Sequence, residues 1–144
     1  MKKILQLVVF TFSIWCANAQ TTVNCTQPPL QFAHCYDNED DTTWWFESSD
    51  GSPIKLTFNS GGIEADYDEI LIYDGADNTA TLLYQGDNDG DLSGLVFEST
   101  GDSLFFEIET DISGSCAAPG LNCCTTPWNM KMVNAEVLGC ISNV

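Results

Sequence analysis

Carboxylates are the chemistry this sequence offers in quantity, and two short runs concentrate them. In Asp87-Asn88-Asp89-Gly90-Asp91 the acids alternate, and Glu98 stands where a helix-loop-helix calcium loop would place its last ligand. The pattern breaks at the position after Asp91, which requires glycine for a sharp turn and holds Leu92; residues 95–98 also read as a strand rather than an exiting helix. This run, and the acidic stretch at 37–41, are therefore read as solvated loops. The single histidine, His34, has no evident nucleophile or perturbed partner to make it a general base, and reads as a surface residue. Trp44, Trp45 and Trp128 could build a sugar-stacking platform, although tryptophans at strand starts more often belong to a core. Because Trp44 and Trp45 are adjacent in a strand-like segment, one of them should face outward.

The charge balance restricts the partners. Asp and Glu number 21 against four lysines, no arginine occurs, and the formal net charge is −17. Such a surface repels phosphate backbones, which are bound through Lys and Arg, so nucleic acid is excluded, and anionic lipid surfaces are excluded by the same physics. Cations are favoured: a divalent metal or a basic patch on another protein.

Residues 1–19 carry Lys2 and Lys3, an apolar stretch from Ile4 to Trp15, and Ala17 and Ala19 around Asn18. This is the pattern of a secretory signal cleaved before Gln20, and the stretch is shorter than the roughly 18 to 20 residues that cross a bilayer. Residues 20–144 then form a single secreted domain, with no membrane insertion expected. Of the seven cysteines, Cys25, Cys35, Cys116, Cys123, Cys124 and Cys140 lie beyond the signal, an even set that suits disulfides in an oxidising compartment. Zinc is a weak competitor, since paired CxxC spacing is absent. Several connectivities are open; the expectation is Cys25 with Cys35, and Cys116 and Cys140 each with one of the adjacent Cys123 and Cys124.

The elements that must position these groups are short apolar runs separated by Gly, Asp, Asn and Ser clusters, the pattern of an all-β sandwich. Candidate strands cover 44–48, 54–59, 69–74, 81–84, 94–99, 103–110 and 130–138. Ile54, Leu56 and Phe58 alternate with Lys55 and Thr57, and Leu104, Phe106 and Ile108 alternate with Glu107 and Glu109, so each strand buries one face. Residues 20–41 are expected to form an irregular, disulfide-tethered N-terminal arm, and 114–126 a C-terminal loop held by cysteines.

Two segments together carry a family pattern. Residues 58–75 (FNSGGIEADYDEILIYDG) and 101–116 (GDSLFFEIETDISGSC) resemble the CUB domain in its calcium-binding form, a secreted antiparallel β-sandwich of jelly-roll type. The tail with Ser115-Cys116, Pro127-Trp128 and Cys140 is similar to small modules in secreted proteins of environmental bacteria. The resemblance implies a calcium site built from Glu64, Asp68 of the Tyr67-Asp68 pair, and Asp111, with an oxygen near Ser113 as a further ligand. Calcium takes six to eight hard oxygens, which carboxylates on neighbouring loops can supply. Asp66 is an alternative ligand, and Tyr36 a candidate for orienting a carboxylate.

The function so implied is a calcium-binding, non-catalytic recognition or adhesion module. Its ligand would be an extracellular protein presenting an exposed lysine or arginine, with a glycan as the rival. A secreted hydrolase using Glu64 or Asp68 as acid or base is the alternative from another class, although the chain offers no groove-building insertion. A purely structural extracellular domain is the third reading.

Overall fold

The computed structural model describes residues 20–24, 26–116 and 132–139, of which 132–134 and 139 are described by their backbone alone. Among them there are nine strands: β1 (Gln20–Val23), β2 (Leu30–Cys35), β3 (Thr43–Ser48), β4 (Ile54–Gly61), β5 (Glu69–Asp74), β6 (Thr81–Gly86), β7 (Val96–Glu98), β8 (Ser103–Glu109) and β9 (Met132–Gly139). A single 3-10 turn, Asn88–Gly90, follows β6. One sheet has the order β1-β3-β8-β5-β6 and the other β2-β9-β4-β7. The chain is thus an all-β sandwich, antiparallel apart from the parallel pairing of β1 with β3.

Period-two alternation decides which residues lie between the sheets. Ile54, Leu56 and Phe58 from β4, Ile70 and Ile72 from β5, and Leu104, Phe106 and Ile108 from β8 are all buried. Phe106 is a hub between layers: Trp44 stacks on it with centroids 4.6 Å apart and planes 12° apart, while Phe58 of the opposite sheet meets it edge-on at 5.5 Å. Offset-stacked and edge-on rings of this kind gain about 0.5 to 1.5 kcal/mol beyond their buried area.

Two expectations for the ends of the chain are corrected. Residues 20–41 are not an irregular arm: β1 extends the first sheet beside β3, and β2 pairs with β9 from Leu30↔Val137 to Cys35↔Met132. Backbone pairing holds these segments, which is why a weak apolar alternation suffices at a sheet edge. Cys35 bonds Cys116 rather than Cys25, with Cα atoms 5.3 Å apart. Strand β2 carries Cys35 to the end of the sandwich where the chain leaves β8, and that proximity overrides nearness in sequence. Cys25, Cys123, Cys124, Cys140, Trp128 and the expected signal at 1–19 lie outside the described residues.

Candidate metal centre

Strands β5 and β8 are antiparallel neighbours, with Glu69 opposite Glu109. Asp68, just before β5, and Asp111, just after β8, must therefore emerge at the same end of the sandwich. Glu64 joins them through a local turn. A bulge between Phe58 and Ser60 and a positive φ of 120° at Gly61 take the chain out of β4. The Asp68 N–H then bonds back to the Glu64 carbonyl at 3.0 Å, folding Asp68 over Glu64. One carboxylate oxygen from each of Glu64, Asp68 and Asp111 lies within 4.8 Å of the others.

Asp68 is the buried member, 2% exposed. Its Oδ1 accepts the Asp111 N–H at 2.9 Å, and its Oδ2 accepts the Glu64 N–H at 3.4 Å. Beneath it Tyr36, fully buried at the end of β2, donates its hydroxyl to the Asp68 carboxylate and accepts the Glu64 N–H at 3.0 Å. Burial foremost, and then the negative charge of Asp68, push the Tyr36 phenol far above its ordinary range, so it is a permanent donor. Tyr36 thus orients both Asp68 and the backbone that carries Glu64.

Gly114, at φ +75°, supplies the remaining wall: a Cβ there would overlap the Glu64 carboxylate. The sequence alone points to neither this glycine's role nor the depth at which Tyr36 lies. A tyrosine directly after a cysteine, and a glycine two residues before the cysteine it pairs with, are the signals that become readable once Cys35 and Cys116 are known to join. The loop at 37–40 closes the rim. The Glu39 N–H bonds the Asp111 carbonyl at 2.7 Å, and the Thr110 hydroxyl receives the Asp40 N–H at 2.7 Å and donates to the Asp37 carbonyl at 3.0 Å.

Ser113 stands beside this cluster, its N–H donating to Asp111 Oδ1 at 2.8 Å and its hydroxyl to the same oxygen at 3.4 Å. Asp66 is not gathered in; it is exposed, at φ +69°, with its N–H donating to Asp87 Oδ2 at 2.5 Å. In the run from Asp87 two acids bond nearby backbone instead of converging: Asp87 also caps the 3-10 turn, Asp91 accepts the Ser93 N–H, and Leu92 is fully buried. His34 differs from the surface residue expected: it is partly buried, bonds Asp40 Oδ2 at 2.7 Å and meets the edge of Trp44. Of the adjacent tryptophans, Trp44 packs inward on Phe106 and Trp45 belongs to the outer face of its sheet.

Three acid oxygens this close repel one another, and Lys55, the one described lysine, pairs instead with its cross-strand neighbour Glu98 within the four-stranded sheet at 3.5 Å. Two oxygens that each sit about 2.4 Å from one ion lie at most about 5 Å apart, so the spacing suits a shared hard dication. The donor set is all oxygen, which matches calcium rather than a thiophilic metal.

Comparison with known proteins agrees with this architecture. A family model described as the CUB domain matches residues 16–118. Cubilin from Homo sapiens is 30% identical over 103 residues, which make up 69% of this chain and 3% of cubilin. Cubilin from Sus scrofa is 30% identical over 100 residues, 67% of this chain and again 3% of the relative. The chain thus spans a small fraction of the length of these curated relatives. Among solved structures, the CUB1-EGF-CUB2 domains of rat MASP-1 superpose with a TM-score of 0.57 at 14% identity, covering 85% of this chain and 43% of that one. A MASP-1 CUB2 domain bound to Ca2+ gives a TM-score of 0.55 at 16% identity, covering 81% of this chain and 97% of that one. With the matched segment running through every strand from β1 to β8, the chain belongs to the CUB domain family, whose members are typically extracellular protein-interaction modules.

Proposed function

We propose that this protein is a secreted recognition module in which calcium, held by Glu64, Asp68 and Asp111 with help from the Ser113 region, fixes the loops at one end of the sandwich. In this reading residues 1–19 are a signal removed on export, and residues 20–144 act as one domain. The observation that carries it is the convergence of the three carboxylates within 4.8 Å over a buried tyrosine. The Ca2+ bound to the MASP-1 CUB2 domain, whose fold this chain shares, supports the same occupant here.

Calcium would neutralise the cluster only in part, leaving a negative end suited to a lysine or arginine on an extracellular protein. A non-catalytic role is supported by the environment of Asp68. It is buried and accepts hydrogen bonds from two backbone N–H groups and a phenol, so it has little access to a substrate. CUB domains are generally non-catalytic binding modules.

Thermal denaturation in calcium and in chelator tests the reading. Free calcium at about 100 times its dissociation constant would add about 2.7 kcal/mol, and Asp111→Ala should remove that increment. Identical melting curves in both buffers would leave a structural domain as the remaining account. Binding of neutral glycans in place of basic peptides by the calcium-loaded protein would replace the proposed ligand while keeping the metal.

A further inference from the structure

Outside the carboxylate cluster, the outer face of the five-stranded sheet carries a groove of about 680 Å³. Its position follows from register. Trp45 and Phe105 are cross-strand partners on β3 and β8, Thr43 and Glu107 are the next pair on the same face, and the turn after β5 brings Asp77 and Asn78 over them. Asp41 completes the rim. Aromatic surface at the floor and three carboxylates around it make an amphipathic hollow, and no lysine or arginine lines it among the described residues.

The negative charge around this hollow is crowded, with no cation among its described lining residues. Burial first, and then the charges of Glu109 and Asp41, push the Glu107 carboxyl up, against an opposing hydrogen bond from the Asn78 side chain. On the same face Tyr73, 6.0 Å from Phe105 between centroids, is pushed up by burial and then by Glu107, Glu109 and Glu69. An entering cation would relieve that repulsion, whereas a neutral sugar would leave it in place.

We propose that this groove is a second binding site, for an arginine side chain carried on a basic segment of a partner protein. A guanidinium is planar and weakly hydrated, so it can lie against Trp45 and Phe105 while donating to carboxylates on either side. The hollow is large enough for the side chain and its neighbouring residues. The site uses none of the calcium-ligand candidates and stands or falls independently of them.

The test is calorimetric titration of the full protein with an arginine-containing hexapeptide at fixed ionic strength, run both in calcium and in chelator, the groove's contribution being the part that groove substitutions remove in both buffers. Saturable binding is expected. Glu107→Gln, which keeps the side chain's volume, should weaken it by roughly tenfold. Glu98→Gln, which removes the same charge from the opposite sheet, should leave it unchanged. If Glu107→Gln lowers the melting temperature substantially, Asp41→Asn serves in its place and should weaken binding in the same direction. The proposal is overturned if Glu98→Gln weakens binding as much as the groove variants, since bulk charge then explains it. It is equally overturned if a neutral oligosaccharide binds where the peptide does not, or if the peptide shows no saturable binding.

Discussion

Asp68 accepts the backbone N–H of Asp111 at 2.9 Å across 43 residues of sequence. This bond ties the entrance of β5 to the exit of β8, so the same carboxylate is both a structural tie and a candidate ligand. Asp111 is the more exposed of the two, and its carboxylate accepts the N–H and the hydroxyl of Ser113 from its own loop. Replacing the two residues by alanine should therefore have different consequences. Asp68→Ala should lower stability in chelator by about 1 to 3 kcal/mol, the cost of stranding buried donors. Asp111→Ala should leave the chelator value nearly unchanged, and both should abolish the rise in melting temperature with calcium. Denaturant melts of the two variants in each buffer provide the check.

Gly114→Ala is expected to lose the calcium response because the new methyl group displaces the Glu64 carboxylate. The positive φ at Gly114 adds a backbone penalty of about 1 kcal/mol or more. Gly51→Ala separates the two effects: Gly51 has φ +82° and nothing within 4 Å of its Cβ position. It should show the backbone penalty and an intact calcium increment in the same melting assay.

Reduction of Cys35–Cys116, or replacement of both residues by serine, should cost about 2 to 4 kcal/mol by freeing the unfolded chain. The bond also ties the strand end bearing Tyr36 to the loop bearing Asp111 and Gly114, so calcium affinity should fall along with stability. Calcium titration of oxidised and reduced protein followed by circular dichroism measures both.

Asp40 gives the fold a pH dependence of known sign. Burial pushes its carboxyl up, but hydrogen bonds from the Thr42 hydroxyl, the Asp37 amide, His34 and the Thr42 amide together hold it below the ordinary value. A depressed folded value means that the ionised carboxylate stabilises the native state above the unfolded value, near pH 4. That contribution is lost as pH falls through the folded value. Stability curves of the wild type and Asp40→Asn should therefore differ at neutral pH and converge in acid.

How much of this was readable in advance depends on where each residue's partners lie. Strands β4 and β8 announce themselves because Ile54, Leu56 and Phe58, and Leu104, Phe106 and Ile108, repeat at the sheet period. Strand β1 buries only Val23 deeply and β2 packs Phe32 and His34 at an edge, so pairing with distant partners, rather than local pattern, makes them strands. The cysteine pairing failed for the same reason: sheet neighbours, not sequence neighbours, brought Cys35 to Cys116. Glu64, Asp68 and Asp111 could be named from a family pattern, whereas the buried phenol and the glycine that shape their pocket depend on three-dimensional contacts that spacing does not encode. The outward turn of one of the two adjacent tryptophans followed from strand geometry, but only the register identifies it as Trp45.

The covalent ring closed between Cys35 and Cys116 encloses every strand from β3 to β8. A protease that cuts once inside it, for instance in the exposed turn at 76–79, releases no fragment. Both pieces remain tethered and their strands can pair again, so destroying the carboxylate end takes two cuts, or one cut and a reductant. If the protein is secreted as proposed, that ring would convert a backbone nick from a loss into a tolerated scar.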